Sequence, residues 1–337
     1  MTDKINDIIS AHMILVTGGA GFIGSNLHAC LTTRGVETII VDRLRDGEKW
    51  RNLRRPPPTR LISPDDLSAF LAESPPLKAI VHLGAISETT ARNGDLVWHN
   101  NVTLSQRLWS WCVDHNVRFI YASSAATYGD GTRGFDDTVP FSHLRELQPL
   151  NLYGWSKHAF DLWALTEAQS GREPPNWAGL KFFNVYGPNE YHKGNMVSVV
   201  KVKFDEIMAG RPPTLFKSDH PRIADGSQQR DFIWIDDVID VILFLLGCST
   251  VNGLFNVGTG NARSYLDLAR SVCSAAGVAE KIDFVPMPKR LVGQYQSFTQ
   301  AKIDRLRQAG YKRAFTSLED GVSKYINGFL QRADPYR

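Results

Sequence analysis

Residues 13–27 constrain the fold of this chain more than any other stretch. Met13-Ile14-Leu15-Val16-Thr17 is a short β-branched run that breaks into the glycines Gly18, Gly19, Gly21 and Gly24 and resumes with helical spacing from Phe22. It reads as strand, tight turn and helix. A dinucleotide pyrophosphate needs bare backbone N–H groups at a helix N-terminus, and a side chain at Gly21 or Gly24 would hold the phosphates or the helix away. Thr38-Ile39-Ile40-Val41-Asp42 is the next strand, and Asp42 closes it about twenty residues on, where a carboxylate can accept from an adenosine ribose hydroxyl. Glycine clusters occur in many turns. Strand, helix and acid in register make this one a dinucleotide site.

Residues 79–83, 118–123 and 180–184 are further apolar runs separated by helical segments. Such strands predict an α/β fold, a doubly wound parallel sheet of the Rossmann type covered on both faces. The dinucleotide-binding domain is expected over 13–185, with segments of the C-terminal half returning to it. Beyond 185, loops rich in Gly, Pro and Asn at 187–194, 210–213 and 218–229 replace regular alternation, so 186–337 is expected to be mainly a smaller α/β portion that holds the substrate. Residues 1–12 are read as an extension with no function assigned.

Composition excludes several roles. Thirty-eight Lys and Arg against thirty-five Asp and Glu leave +3, too little for a nucleic-acid surface. No run approaches the ~18 uninterrupted apolar residues of a membrane span. Cys30, Cys112, Cys248 and Cys273 are scattered without a C-x-x-C pair, so no metal site and no disulfide framework are expected, and a reduced, cytoplasmic setting fits.

Tyr153-Gly154-Trp155-Ser156-Lys157 places a phenol and an ammonium four apart on one face of a helix. A free tyrosine, with pKa about 10, is a poor base at neutral pH. A lysine charge beside it, with the positive nicotinamide of an oxidised cofactor, stabilises the phenolate. Ser124, at the end of a strand, can donate to a substrate hydroxyl. Together these groups can take an O–H proton while hydride leaves the adjacent carbon. Arg43, Arg45 and Lys49 follow Asp42 and could neutralise a 2′-phosphate, which favours NADP, with NAD as the alternative.

The turn at 17–24, Val81-His82-Leu83-Gly84-Ala85, the Ser124 segment, Tyr153/Lys157 and Phe183-Asn184-Val185-Tyr186-Gly187-Pro188 together resemble the extended short-chain dehydrogenase/reductases, a family that works largely on nucleotide sugars. The resemblance covers nearly the whole chain from Met13. Dehydratases of that family typically carry Asp-Glu after the strand-end serine, where this chain has Ala125-Ala126. The runs at 121–129, 189–196, 230–232 and 293–300 are similar to the branch that epimerises an ADP-linked heptose at C6.

That likeness implies transient oxidation by tightly held NADP with no net redox, and a second acid–base group at Lys193. Tyr153 would serve one epimer and Lys193 the other, while Lys157 orients the cofactor ribose. The residues alone would make Lys193 an exposed loop lysine. Carried over likewise, Gly18, Gly21, Phe22, Ile23 and Gly24 meet the pyrophosphate, and Asp42, Arg43 and Lys49 surround the adenosine ribose. Gly84, Ala85, Ile86, Ser87, Asn100, Val185, Lys157 and Lys193 line the cofactor. Ser124, Asn184, Asn195, Phe216, Lys217, Ser218, Asp219, Arg230 and Tyr295 hold the ADP-heptose. Asp236 and Asp237 read as the cap of the helix after 230–232. A homo-oligomer, pentameric by the resemblance, and a place in lipopolysaccharide inner-core synthesis are also implied.

The chain departs from the family pattern at Asn195, usually serine, and Arg43, usually asparagine. It also lacks a cofactor-contacting lysine near Ser63-Pro64-Asp65, and its 218–229 loop is longer. Another nucleotide-sugar epimerase or reductase is the alternative within the family. A dinucleotide-sensing protein without turnover is the alternative outside enzymes, and such proteins tend to lose the Tyr/Lys pair.

Overall fold

The first strand, β1 (Met13–Thr17), buries both of its faces: Ile14 and Val16 enter one apolar cluster, and Leu15 enters another. A strand of this kind needs cover on both sides of its sheet. The computed structural model, which describes residues 13–248, 250–288 and 297–337, supplies it.

The further strands, in chain order, are β2 (Thr38–Val41), β3 (Arg60–Ile62), β4 (Leu77–His82), β5 (Arg118–Ser124), β6 (Trp177–Phe182), β7 (Asn184–Tyr186), β8 (Thr214–Phe216), β9 (Gln229–Arg230), β10 (Phe232–Trp234), β11 (Gly253–Val257), β12 (Arg263–Ser264) and β13 (Asp283–Val285). Seven form one parallel sheet in the order β11-β6-β5-β4-β1-β2-β3. The helices of eight residues or more among the described residues are α1 (Phe22–Thr33), α2 (Leu104–Asp114), α3 (Leu152–Gln169), α4 (Val199–Met208), α5 (Ile235–Gly247), α6 (Tyr265–Ala276) and α7 (Leu318–Tyr325). Leu27 and Leu31 of α1 and the apolar residues of α5 fill one face, whereas Leu108 and Trp109 of α2 and Phe160 of α3 fill the other. The doubly wound parallel fold expected from the strand pattern is the one observed. None of the described helices is long and apolar enough to cross a membrane.

Strand order reverses between β1 and β4, and ligands of such sheets sit in the crevice beyond the strands' carboxyl ends at that point. Here the two backbones nearly touch. Gly18 has φ +67°, and a Cβ on it would lie 2.6 Å from the Gly84 nitrogen. Below them the buried His82 bridges both strands: its Nδ1 lies 2.6 Å from Thr17 Oγ1 and its Nε2 2.9 Å from Ser105 Oγ. Burial, then the Lys157 charge, pushes its pKa down to about 3. The ring is therefore neutral, and because the Ser105 hydroxyl donates to Asn101 O, Nε2 is the ring donor and Nδ1 accepts from Thr17.

Several expectations need correcting. The run at 180–184 is not one strand: β6 stops at Phe182, and β7 leaves the large sheet to pair with β10. β3 escaped the sequence reading because two of its three residues are exposed and form no apolar run. Helices α4 to α7 occupy much of the half expected to be loop-rich. Asp236 and Asp237 do not cap α5, whose N-cap residue is Trp234. Asp236 instead accepts from the Trp234 indole at 3.0 Å, and Asp237 accepts from the Thr316 N–H at 2.8 Å. Both acids still suit the positive end of the helix dipole.

The close approach makes Gly18 a sharp test. Gly18→Ala should destabilise the fold by about 1–3 kcal/mol, because alanine is strained at that φ and meets Gly84. It should also abolish dinucleotide binding. Thermal denaturation with nucleotide titration checks both, and wild-type values in each would refute the account.

Candidate active site

A cavity of about 610 Å³ opens over the β1/β4 reversal. Its floor is the glycine turn. A Cβ at Gly24 would come within 2.3 Å of the Gly18 carbonyl oxygen, and one at Gly21 within 3.0 Å, so the turn presents bare backbone to the cavity at the start of α1. That shape and polarity fit a pyrophosphate.

Tyr153 and Lys157, the pair that the sequence singles out, arrive on α3. Asn151 caps this helix by accepting from the Gly154 N–H at 2.8 Å. Gly154 lets the helix approach the turn after Ser124, since a Cβ there would lie 2.8 Å from Ala126 O. The approach brings the Tyr153 phenol close to the Ser124 hydroxyl. Burial nevertheless pushes the phenol pKa up; the Ser124 hydroxyl opposes this and the Asp161 charge adds to it. This is opposite to the direction expected from a neighbouring lysine, and burial is the reason. Lys157 is buried, which pushes its pKa down to about 8 against the pull of Asp161.

Lys193 reaches the cavity from another wall. It stands on a 3-10 turn, Tyr191–Met196, with its ammonium 5.1 Å from the centre of the Phe22 ring and 3.9 Å from Glu190 Oε2. Burial lowers its pKa, and Glu190 opposes the shift. Three asparagines lock this loop to the cofactor turn. Asn26 donates to Pro188 O at 2.9 Å, Asn52 to both Ala20 O and Asn189 O at 2.9 and 3.0 Å, and Asn189 to Ser25 Oγ at 3.0 Å. The buried Glu190 accepts from Ser198 N–H and Oγ at 2.6 Å and from the Tyr325 hydroxyl at 3.0 Å.

At the far end, Asp42 faces inward. Its carboxylate accepts from Ala20 N–H at 2.9 Å, from Arg43 N–H at 2.7 Å and from the Lys49 ammonium at 2.6 Å. Arg43 pairs with Asp65 across the surface, and Arg45 joins it on the cavity rim.

The profile of the NAD dependent epimerase/dehydratase family matches residues 14–258. The chain belongs to this family. Two curated relatives named ADP-L-glycero-D-manno-heptose-6-epimerase are 42% and 46% identical to it, from Fusobacterium nucleatum and Nitratidesulfovibrio vulgaris (strain Hildenborough). Each alignment covers 96% of this chain and all of the relative. The crystal structure of the Helicobacter pylori enzyme of the same name is similar, with a TM-score of 0.80 and 29% identity, over 96% of this chain and 98% of that one.

As in other NAD dependent epimerases and dehydratases, the cofactor is a nicotinamide dinucleotide. The cavity gathers most of the residues that the sequence singles out. Gly18, Gly21, Phe22, Ile23, Gly24, Asp42, Arg43, Lys49, Gly84, Ala85, Ile86, Ser87, Asn100, Ser124, Tyr153, Lys157, Asn184, Val185, Lys193 and Asn195 all line it. Phe216, Lys217, Ser218, Asp219 and Arg230 are not among its walls. Phe216 ends β8, 217–219 follow it, and Arg230 lies buried on β9 with its guanidinium 5.5 Å from the Tyr265 ring. Tyr295 lies outside the described residues.

Sequence reasoning missed His192 and Thr89, which also line the cavity, and the asparagine clamp. It also missed Asn101, which accepts from Ile86 N–H at 2.8 Å and donates to Ile86 O and Ser156 Oγ, each at 3.0 Å. Asparagines in a loop or helix look like turn formers or surface, and nothing in their spacing marks them as buried. His82 did carry a signal, being a polar residue inside an apolar strand.

The lowered pKa of Lys157 predicts an alkaline limit. Its ammonium is present below about pH 8 and lost above it, so the phenolate support of Tyr153 fades as pH rises. The kcat profile should fall with a midpoint near pH 8, and a plateau extending to pH 10 would contradict this role.

Proposed function

We propose that the chain interconverts the C6 epimers of the heptose in ADP-D-glycero-D-manno-heptose and ADP-L-glycero-D-manno-heptose, with NADP as its cofactor. The observation that carries the mechanism is that two groups suited to proton transfer, Tyr153 and Lys193, enter one cavity from separate elements. The curated relatives' names supply the substrate.

A nicotinamide dinucleotide held over the glycine turn, Asp42 and Lys157 would supply reversible hydride transfer at C6, by way of a ketone. The chain's residues manage the proton. Tyr153, beside Ser124, takes it from the C6 hydroxyl of one epimer, with Lys157 one turn further along the same helix. Once the sugar presents its other face, Lys193 returns a proton to the carbonyl oxygen as the second epimer forms. The reverse reaction exchanges these roles. A lysine base needs a pKa below the ordinary value, and burial of Lys193 acts in that direction. On this reading the product is a precursor of the lipopolysaccharide inner core, made in the cytoplasm by a homo-oligomer, pentameric as in the heptose branch.

Tyr153→Phe should lower kcat by on the order of 10²- to 10⁴-fold. Lys193→Ala should lose at least one direction of epimerisation while still binding cofactor. NMR of the C6 epimer ratio from either starting epimer reads this, and full activity in both directions would rule out two acid–base groups.

Support for NADP comes from the adenosine end. The Asp42 charge is engaged by Lys49 and by two backbone donors, while Arg43 and Arg45 stand at the rim. The Arg43–Asp65 pair is largely exposed, and a surface pair of this kind yields readily to a phosphate. NADP should therefore bind more tightly than NAD. Arg43→Ala with Arg45→Ala should weaken NADP by on the order of tenfold or more and leave NAD nearly unchanged. Tighter binding of NAD by the unaltered protein would reverse the assignment.

A further inference from the structure

Lys181 is a lysine with no exposed surface in the middle of an apolar strand, β6. An ammonium buried there needs partners, and it has two: Asp161 Oδ2 at 2.6 Å and Thr127 Oγ1 at 2.7 Å. Its charge also lies 5.0 Å from the centre of the Tyr128 ring. Asp161 sits one turn beyond Lys157 on α3 and accepts from Tyr121 OH at 2.9 Å and Ser123 Oγ at 2.7 Å. Thr127 in turn donates to Ser124 O at 2.8 Å. One ammonium thus joins the helix that carries Tyr153 and Lys157 to the turn that follows Ser124. A buried ion pair contributes little to stability beyond what apolar residues of similar volume would give, so stability alone does not account for it.

We propose that Lys181 is a positioning residue for the Ser124–Tyr153 pair, holding the Ser124 turn against α3 through Thr127 and cancelling the Asp161 charge that faces both catalytic groups from behind. The inference rests on Tyr153 being the acid–base group. The ionisable groups facing Asp161 are Lys181 of β6, Tyr121 of β5, Tyr153, Lys157 and His158 of its own helix, and Tyr128 of the turn, with Asp137 and Asp136 beyond Tyr128. Asp161 acts on Tyr153 and Lys157 in the same direction, raising both pKa values. Its charge left uncompensated would oppose formation of the phenolate.

The test is the pH dependence of kcat for C6 epimerisation by the cofactor-loaded enzyme. In Lys181→Met the Asp161 carboxylate keeps its two hydroxyl donors but loses its counter-ion. The rising limb of the kcat profile, set by ionisation of the Tyr153 phenol, should move up by about one pH unit, and kcat at the optimum should fall about tenfold or more. KM should stay within about threefold of wild type. Asp161→Asn leaves the Lys181 charge uncompensated, so its rising limb should move to lower pH. The double variant should recover the wild-type limb but keep the reduced kcat, because the stitch through Thr127 is still missing. If Lys181→Met does not fold, Asp161→Asn and the double variant decide. Limbs that coincide with wild type, or that shift the same way in both single variants, overturn the proposal. An inactive Tyr153→Phe with unmoved limbs rejects the Lys181 role alone, whereas a fully active Tyr153→Phe rejects the assignment on which it rests.

Discussion

The cavity depends on the contact between two backbones, at Gly18 after β1 and Gly84 after β4. A side chain at Gly18 would overlap the Gly84 peptide, so this junction can exist only bare. The crevice above depends on it. With the strands drawn together, the glycine turn opens α1 directly under the cavity, and the loop from Gly84 to Ser87 forms its neighbouring wall. His82 maintains the approach from below as a neutral bridge between Thr17 and Ser105. Burial keeps it neutral, and a charged ring in that position would have a donor facing the Thr17 hydroxyl in place of an acceptor.

Apolar packing sets the sheet, but it does not align the loops around the cavity to the accuracy that proton transfer demands. Directional bonds from buried side chains do so. Asn101 fixes the loop at Ile86 to α3 through Ser156, whose hydroxyl donates to Tyr153 O at 2.7 Å. Asn26, Asn52 and Asn189 fix the Lys193 loop to the cofactor turn. The amide NH2 groups lose hydration on burial and recover it only in one arrangement, so a small shift leaves a donor unmet at about 1–3 kcal/mol. That asymmetry gives the loops a single preferred position, which dispersion contacts alone would not.

These two kinds of interaction differ in how far they can be read from the sequence. The sheet was legible because β1, β2, β4 and β5 are apolar runs followed by helical spacing, and the glycine turn because bare backbone has few other uses at a helix start. Tyr153 and Lys157 were legible through their spacing on one helix. Lys193 was not, and only its resemblance to a known family singled it out, because its burial depends on the fold of the loop around it. The asparagine clamp joins residues more than a hundred positions apart, Asn52 with Asn189 and Asn26 with Pro188, and no local period records such pairs. β3 and the first turn of α5 failed for a related reason. An exposed edge strand carries no apolar pattern, and an acid before a helix looks like a cap whether or not its carboxylate turns back to the backbone.

The two groups proposed to transfer protons are held in unlike ways, and the difference follows from their chemistry. Tyr153 is on a helix of eighteen residues packed into the core, close to the Ser124 hydroxyl. A phenol there has one fixed geometry, beside the Ser124 hydroxyl. Lys193 is on a short turn with a flexible stem, partly exposed, and held from behind by Glu190 at 3.9 Å, longer than a hydrogen bond. A tight ion pair would keep the ammonium protonated and facing Glu190. The longer separation leaves it oriented by charge yet able to turn into the cavity, while the turn beneath it stays locked by the asparagines. On the proposed mechanism, a site that serves two faces of one carbon would be well served by a rigid partner and an adjustable one, because the sugar would have to reorient and only one wall would need to follow it.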